Sequence, residues 1–151
     1  MRRHEREITD PAIVEEIFKK AIICRVAFQG EEYPYVVPMN YGYKEGVLYF
    51  HTAREGRKLD LIRQNPKVAF EITEKAELVP GHKSCEWTEH YRSIFGTGSI
   101  EILDDFTQKL QGLDVLMQHH GKVKNAYDPK LVDRLFVLKL SIKDMTAKEN
   151  A

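Results

Sequence analysis

The chain has 151 residues, 42% of them hydrophobic, and its 23 Lys plus Arg against 23 Asp plus Glu give a formal net charge of zero. This length predicts one domain burying roughly 68–70% of its unfolded surface, enough for a core without metals or crosslinks, and the even charge disfavours general attraction to nucleic acid. Cys24 and Cys85 lack the paired spacing of a disulfide framework, which fits a reducing compartment, and no apolar run approaches the roughly 18 residues of a membrane helix.

The opening MRRHEREITD is charged throughout and lacks the apolar segment of a signal peptide, so a soluble, cytoplasmic protein is expected. Asp10-Pro11 reads as a helix start, a capping carboxylate followed by a proline at the first helical position, and Ile13, Ile17 and Ala21 give an apolar stripe to about Lys20. Ile22 to Phe28 is a predicted strand closed by Gln29-Gly30. Tyr33 to Tyr43, with four tyrosines, two valines and a methionine, is read as the first strand of a hairpin. Lys44-Glu45-Gly46 is its turn and Val47 to Thr52 its second strand. Beyond Gly56 the period changes to that of a short helix, Arg57 to Gln64, ended by Asn65-Pro66.

Val68 to Thr73 is the next strand, and the polar stretch from Glu74 to His90 reads as an excursion from the barrel. Arg92 to Leu103 is a strand expected to bend at Gly96 and Gly98. An amphipathic helix from Asp105 to His120 and a last strand from Leu135 to Ile142 complete the chain. About six strands with no β-α-β alternation point to a mainly-β or α+β barrel with peripheral helices.

The chemistry concentrates between Tyr33 and Pro66, where an aromatic strand pair precedes a basic helix start, a unit able to hold a flat ring and a phosphate together. At that junction helix amides, the positive end of the helix dipole, Arg57 and Lys58 converge, with Thr52 as a hydroxyl donor. The plain alternative is a solvated basic helix start. Pro38 marks an edge or irregular strand, since a proline gives up a ladder donor, whereas Val37 and Met39 read equally well as core residues. A lone strand histidine such as His51 is more often structural than catalytic. His82, Cys85 and His90 offer three zinc-type ligands and no fourth, so no metal is expected. His119-His120 suits the C-terminal end of a helix dipole.

The ordered segments VVPMNYGY, LYFHT, EGRKLDLIRQNP, CEWTEHYRSIFGTGSIEIL at 85–103 and LKLSIKDMTAKE together resemble the FMN-binding split-barrel proteins related to pyridoxamine 5'-phosphate oxidase, and within them the nitroimidazole-resistance branch. The resemblance covers most of the chain. It implies a split β-barrel with peripheral helices and a homodimer with FMN between the subunits. It also implies a flavin-dependent reductase or oxidase of small molecules, nitroaromatic (nitroimidazole) reduction among the candidate activities. It places Val37, Pro38, Met39, Asn40 and Tyr41 along the ring, through backbone amides and the Asn40 side chain, and gives the phosphate to Thr52, Arg57 and Lys58. His51 would stand beside the flavin as a proton or hydrogen-bond donor. Trp87, Thr88, Tyr91 and Ser93 would approach from the second subunit, with Trp87 equally suited to packing the dimer interface.

The end KDMTAKENA lacks the Arg/His-containing, RLxP-like terminus of vitamin B6 oxidases, and Ala147 stands where the branch carries glycine, which bears on a local turn. The rival expectation is a non-catalytic flavin-binding or haem-binding module, with His51, His82, His90, His119 and His120 as candidate axial ligands. A deazaflavin is a third option, and the natural substrate and electron donor are not specified by these residues.

Overall fold

The computed structural model describes residues 3–151. Its framework is one antiparallel sheet of eight strands: β1 (Glu7–Ile8), β2 (Ile23–Phe28), β3 (Tyr35–Asn40), β4 (Gly42–Lys44), β5 (Val47–Ala53), β6 (Lys67–Val79), β7 (Thr88–Leu103) and β8 (Leu135–Asn150). The hydrogen-bonded order is β3-β2-β6-β7-β8-β5-β4, with β1 added to the far end of β8. Helices α1 (Pro11–Lys20), α2 (Arg57–Gln64), α3 (Phe106–His119) and α4 (Pro129–Asp133) pack around it, which is the mainly-β barrel with peripheral helices expected from the sequence.

The expected strand from Tyr33 to Tyr43 is corrected to two. β3 pairs with β2 and β4 with β5, at opposite ends of the strand order, and the chain crosses between them at Tyr41. Two consecutive buried residues, Tyr41 and Gly42, break the alternation that a single pleated strand requires. Tyr41 is fully buried, with its hydroxyl donating to the Phe18 carbonyl at 2.6 Å. Gly42 lies against the Leu116 backbone of α3, where a Cβ would come within 2.5 Å. The strand order is therefore open between β3 and β4, its two ends. The β4–β5 turn is Glu45-Gly46, both with positive φ (49° and 78°), a twist suited to tight hairpins, and Lys44 belongs to the strand.

The excursion at 74–90 is a two-stranded arm. β6 and β7 run on past the sheet, Val79 pairing with Thr88, after a register shift between Thr73 and Lys75. β7 also shifts register against β8 between Thr97 and Gly98, the irregularity that the glycines foretold. β8 continues to Asn150 with Ala147 inside it, paired to Ile94 and Ile8, so no turn forms there. Paired arms of this kind carry polar residues on both sides, and hydrophobic alternation does not reveal them.

The main core lies on the inner face of the sheet under α1 and α2, with Phe18, Phe28, Phe50, Phe70, Leu59 and Ile72 almost wholly buried. Each such side chain contributes about 2 kcal/mol by leaving water. A smaller cluster of Leu103, Leu113, Val132 and Val137 lies beneath α3 and α4. On the outer face, Val36, Ala27, Ala69 and Thr97 form one cross-strand row, and Pro38, Arg25, Glu71 and Phe95 the next. Val36 and Phe95 are exposed there. No helix among the described residues is long and apolar enough to cross a membrane.

Candidate functional site

Three of the four α-helices begin with a side-chain cap: Asp10 accepts from the Ala12 amide, Asp105 from Gln108 and Asp128 from Lys130, each at 2.9 Å. Helix α2 begins differently. Its cap is Gly56, with φ of 135° and no side chain to offer, and the Gly56 carbonyl accepts from Leu59 and, longer, Asp60. The first amides of the helix, those of Arg57 and Lys58, therefore face outward without an acceptor on the cap.

Thr52 lies five residues before Arg57 and is 5% exposed, facing inward beside Phe50 on β5. Its hydroxyl is buried without a hydrogen-bond partner. A buried orphan of this kind costs about 1–3 kcal/mol, so a ligand oxygen at that point would gain a ready donor. Arg57 and Lys58 form no ion pair among the described residues. The Arg57 guanidinium lies over the Tyr35 ring, 4.8 Å from its centroid, and thus reaches from α2 to the start of β3. Uncapped amides, an orphan hydroxyl and two cations without carboxylate partners are the kinds of group that a phosphate monoester would need.

The Arg57–Tyr35 contact links this turn to β3, the strand that carries the expected ring-binding residues Val37 to Asn40. Continuing the β4–β5 register from Gly42↔Tyr49 would set Asn40 opposite His51 and Met39 opposite Thr52. Instead β3 pairs with β2, so Asn40 and Met39 are not the ladder partners of His51 and Thr52. Pro38 lies on an end strand, the place where its missing donor is tolerated. Val37 and Met39 pack partly against the core, while Pro38 and Asn40 are exposed, the Asn40 amide donating to the Ile22 carbonyl at 3.3 Å. The Tyr41 side chain belongs to the core, against Phe18 and His119, which leaves its backbone for the expected ring contact.

His51 is exposed and projects from the opposite face of β5 to Thr52. The two are neighbours in sequence but do not share one wall. Trp87, Thr88, Tyr91 and Ser93 stand on the arm and its root. Trp87 is half exposed, and Thr88 accepts from the Asn150 amide at 3.1 Å. Tyr91 accepts from Arg6 at 3.3 Å, with Lys148 over its ring. The partners of Thr88 and Tyr91 are on β8 and the N-terminal segment, and none of these contacts involves Arg57 or Lys58. Cys24 is buried, its thiol pushed well up by desolvation, and Cys85 is exposed on the arm; they are not bonded. No group of three or more His, Cys, Asp or Glu side chains is arranged to hold a metal among the described residues. His119 is held by the Ala21 carbonyl, 2.8 Å from Nε2, which removes that nitrogen from ligand duty.

A second set of residues was not anticipated. Arg54 grips Asp104 with both terminal nitrogens at 2.8 and 2.9 Å and donates to the Asp133 carbonyl at 2.9 Å. Lys109, 1% exposed, donates to the carbonyls of Val132 and Leu135 at 3.0 and 3.2 Å and to Asp104 at 3.4 Å. The Arg54 charge holds the Asp104 carboxyl below its usual range. The readable signal was a lysine on the helix stripe shared with Gly112, Leu113 and Leu116.

A sequence profile of the pyridoxamine 5'-phosphate oxidase family matches residues 10–149. No curated protein sequence matches the chain. Among solved structures it is similar to a candidate 5-nitroimidazole antibiotic resistance protein from Bacteroides thetaiotaomicron, at 31% identity over 95% of this chain and 86% of that one, TM-score 0.84. An FAD- and haem-binding protein from Mycobacterium smegmatis aligns at 19% identity over 96% and 73% of the two chains, TM-score 0.84. An FAD-binding protein from Mesorhizobium loti aligns at 22% identity over 97% and 98%, TM-score 0.69. These last two speak to the fold alone, whereas the profile and the first structure agree in sequence as well: the chain belongs to the pyridoxamine 5'-phosphate oxidase family.

Proposed function

We propose that this protein is an FMN-binding oxidoreductase of small molecules that works as a homodimer. The observation that carries the reading is the orphan Thr52 hydroxyl beside the uncapped start of α2 and its two unpaired cations. Thr52, Arg57 and Lys58 would hold the phosphate, while Val37, Pro38, Met39, Asn40 and the Tyr41 backbone flank the ring. Bound FMN would supply reversible uptake of electrons, and the protein would hold and orient it. His51, exposed on β5, is suited to pass a proton to a substrate being reduced.

The second copy has two supports. Val36 and Phe95 are exposed apolar side chains on the outer sheet face that a partner would cover, with the Arg25–Glu71 ion pair on the strands between them. The contacts of Thr88 and Tyr91 leave out Arg57 and Lys58 of their own chain, so the arm holding Trp87, Thr88, Tyr91 and Ser93 is free to serve a neighbour's anion turn. Nitroaromatic compounds are the substrate class proposed, because the 31% identical relative is a candidate 5-nitroimidazole antibiotic resistance protein. The unpaired cysteines suit a cytoplasmic setting.

The test is the absorption spectrum and FMN titration of purified protein, alongside Arg57→Glu with Lys58→Glu. The expected result is a flavin spectrum in the wild type, lost in the charge-reversed variant, with dimeric elution. A Soret band surviving that reversal would replace this reading by the haem module, and a colourless protein indifferent to FMN would end it. His51→Ala is expected to slow nitroaromatic turnover while leaving FMN bound; unchanged rates would remove His51 from the chemistry.

A further inference from the structure

The turn joining Thr52 to Arg57 and Lys58 has little to hold it in place. Only Arg54, Glu55 and Gly56 lie between β5 and α2, and the Gly56 φ of 135° belongs to a backbone region that glycine visits freely. An anion site depends on several donors aiming at one point, so something must fix this turn. The side chain that does so is Arg54.

Its guanidinium is used on three sides. The fork takes both Asp104 oxygens, one nitrogen also reaches the Asp133 carbonyl, and the plane lies over Phe136 with Cζ 4.2 Å from the ring centroid. Phe136 is in turn the ladder partner of Thr52. Asp104 accepts from Lys109, whose remaining donors tie the α4–β8 junction through Val132 and Leu135. The network thereby connects the anion turn to the end of β7, to α3 and to the start of β8. With its charge met by Asp104, Arg54 is a strut and not a third phosphate ligand.

We propose that Arg54, locked by Asp104 and Lys109, is the positioning residue of the anion turn, setting the Thr52 hydroxyl, the open α2 amides and the Arg57 and Lys58 side chains on a single phosphate. This rests on the reading that the turn receives the FMN phosphate. Lysine cannot replace it: a point charge reproduces neither the fork on Asp104 nor the stacking on Phe136.

Riboflavin and FMN differ only by the phosphate, so the ratio of their dissociation constants isolates the anion turn from the ring site. Arg54→Lys is expected to lower the preference for FMN on the order of tenfold, the size usual for losing a partner that orients a ligand-holding group. Riboflavin affinity stays unchanged. Asp104→Asn acts in the same direction, Asp104→Glu restores part of the preference, and the double variant Arg54→Lys/Asp104→Asn is no worse than the poorer single one, as for residues acting as a unit. Circular dichroism checks that each variant is folded. A wild-type preference retained in both Arg54→Lys and Asp104→Asn, or equal weakening of FMN and riboflavin, would overturn the positioning role and leave the phosphate reading standing. A wild type that binds riboflavin as tightly as FMN would overturn both.

Discussion

Two clusters of charge lie within a few residues of each other on this fold and have been treated in opposite ways. Around Asp104, every cation has a partner: Arg54 is forked onto the carboxylate, and Lys109 is buried among carbonyls. Around α2, the helix lacks a side-chain cap, Arg57 and Lys58 lack carboxylates, and the Thr52 hydroxyl lacks any partner. Unmet polar groups cost stability, and this contrast between satisfied and unmet groups is what supports the proposal of a ligand at the second. The first is internal structure.

The contrast is broken most strongly at Lys109. Replacing it with methionine keeps the apolar stem and strips three acceptors of their donor, and is expected to lower unfolding free energy by roughly 3 kcal/mol, measured by urea denaturation. Gly56→Ala should cost roughly 2 kcal/mol from backbone strain alone, since nothing lies within 4 Å of the added methyl. It should also weaken FMN, read by quenching of flavin fluorescence.

Thr52→Val sharpens the comparison because its effects have opposite signs. Removing an orphan hydroxyl is expected to leave the flavin-free protein equally stable or about 1 kcal/mol more so, while FMN binds less tightly. A loss of stability with unchanged FMN affinity would make Thr52 an ordinary core residue.

The smallest effect concerns His119. Burial, the largest influence, moves its pKa below the ordinary 6.5, partly opposed by the Ala21 carbonyl. The unfolded chain therefore takes up the proton first as pH falls. Stability from the neutral imidazole is complete above about 6.5 and is lost as pH drops from there toward the lower folded value. His119→Gln should flatten that slope in denaturation measured across this range.

The helices were legible because their signals are local: Asp10-Pro11, Gly56 and Asp105 fix their starts whatever lies nearby. Asp128-Pro129 carries the same signature as Asp10-Pro11, and the short helix it begins could have been read from it. The strand ends were less legible. β6, β7 and β8 all run beyond their apolar alternation, because in a paired arm backbone hydrogen bonds to a neighbour hold the strand without a buried face. The proposed phosphate residues were readable as types, yet what argues against a merely solvated basic helix start is the empty hydrogen-bonding capacity of Thr52, a property of its surroundings.

By itself, then, the sequence determined the order and chemical kind of the elements: an aromatic strand region, a basic helix start after glycine, and helices capped by aspartate. Propensity, capping and turn chemistry act over a few residues and are written there. The tertiary structure alone decided that Tyr33–Tyr43 divides at Tyr41, that Asn40 pairs with β2 and not with β5, and that Arg54 is spent on Asp104 while Arg57 and Lys58 have no carboxylate partner. Those outcomes depend on partners outside the local segment, from Phe18 for Tyr41 to Asp104 for Arg54, whose positions are fixed only when the core closes.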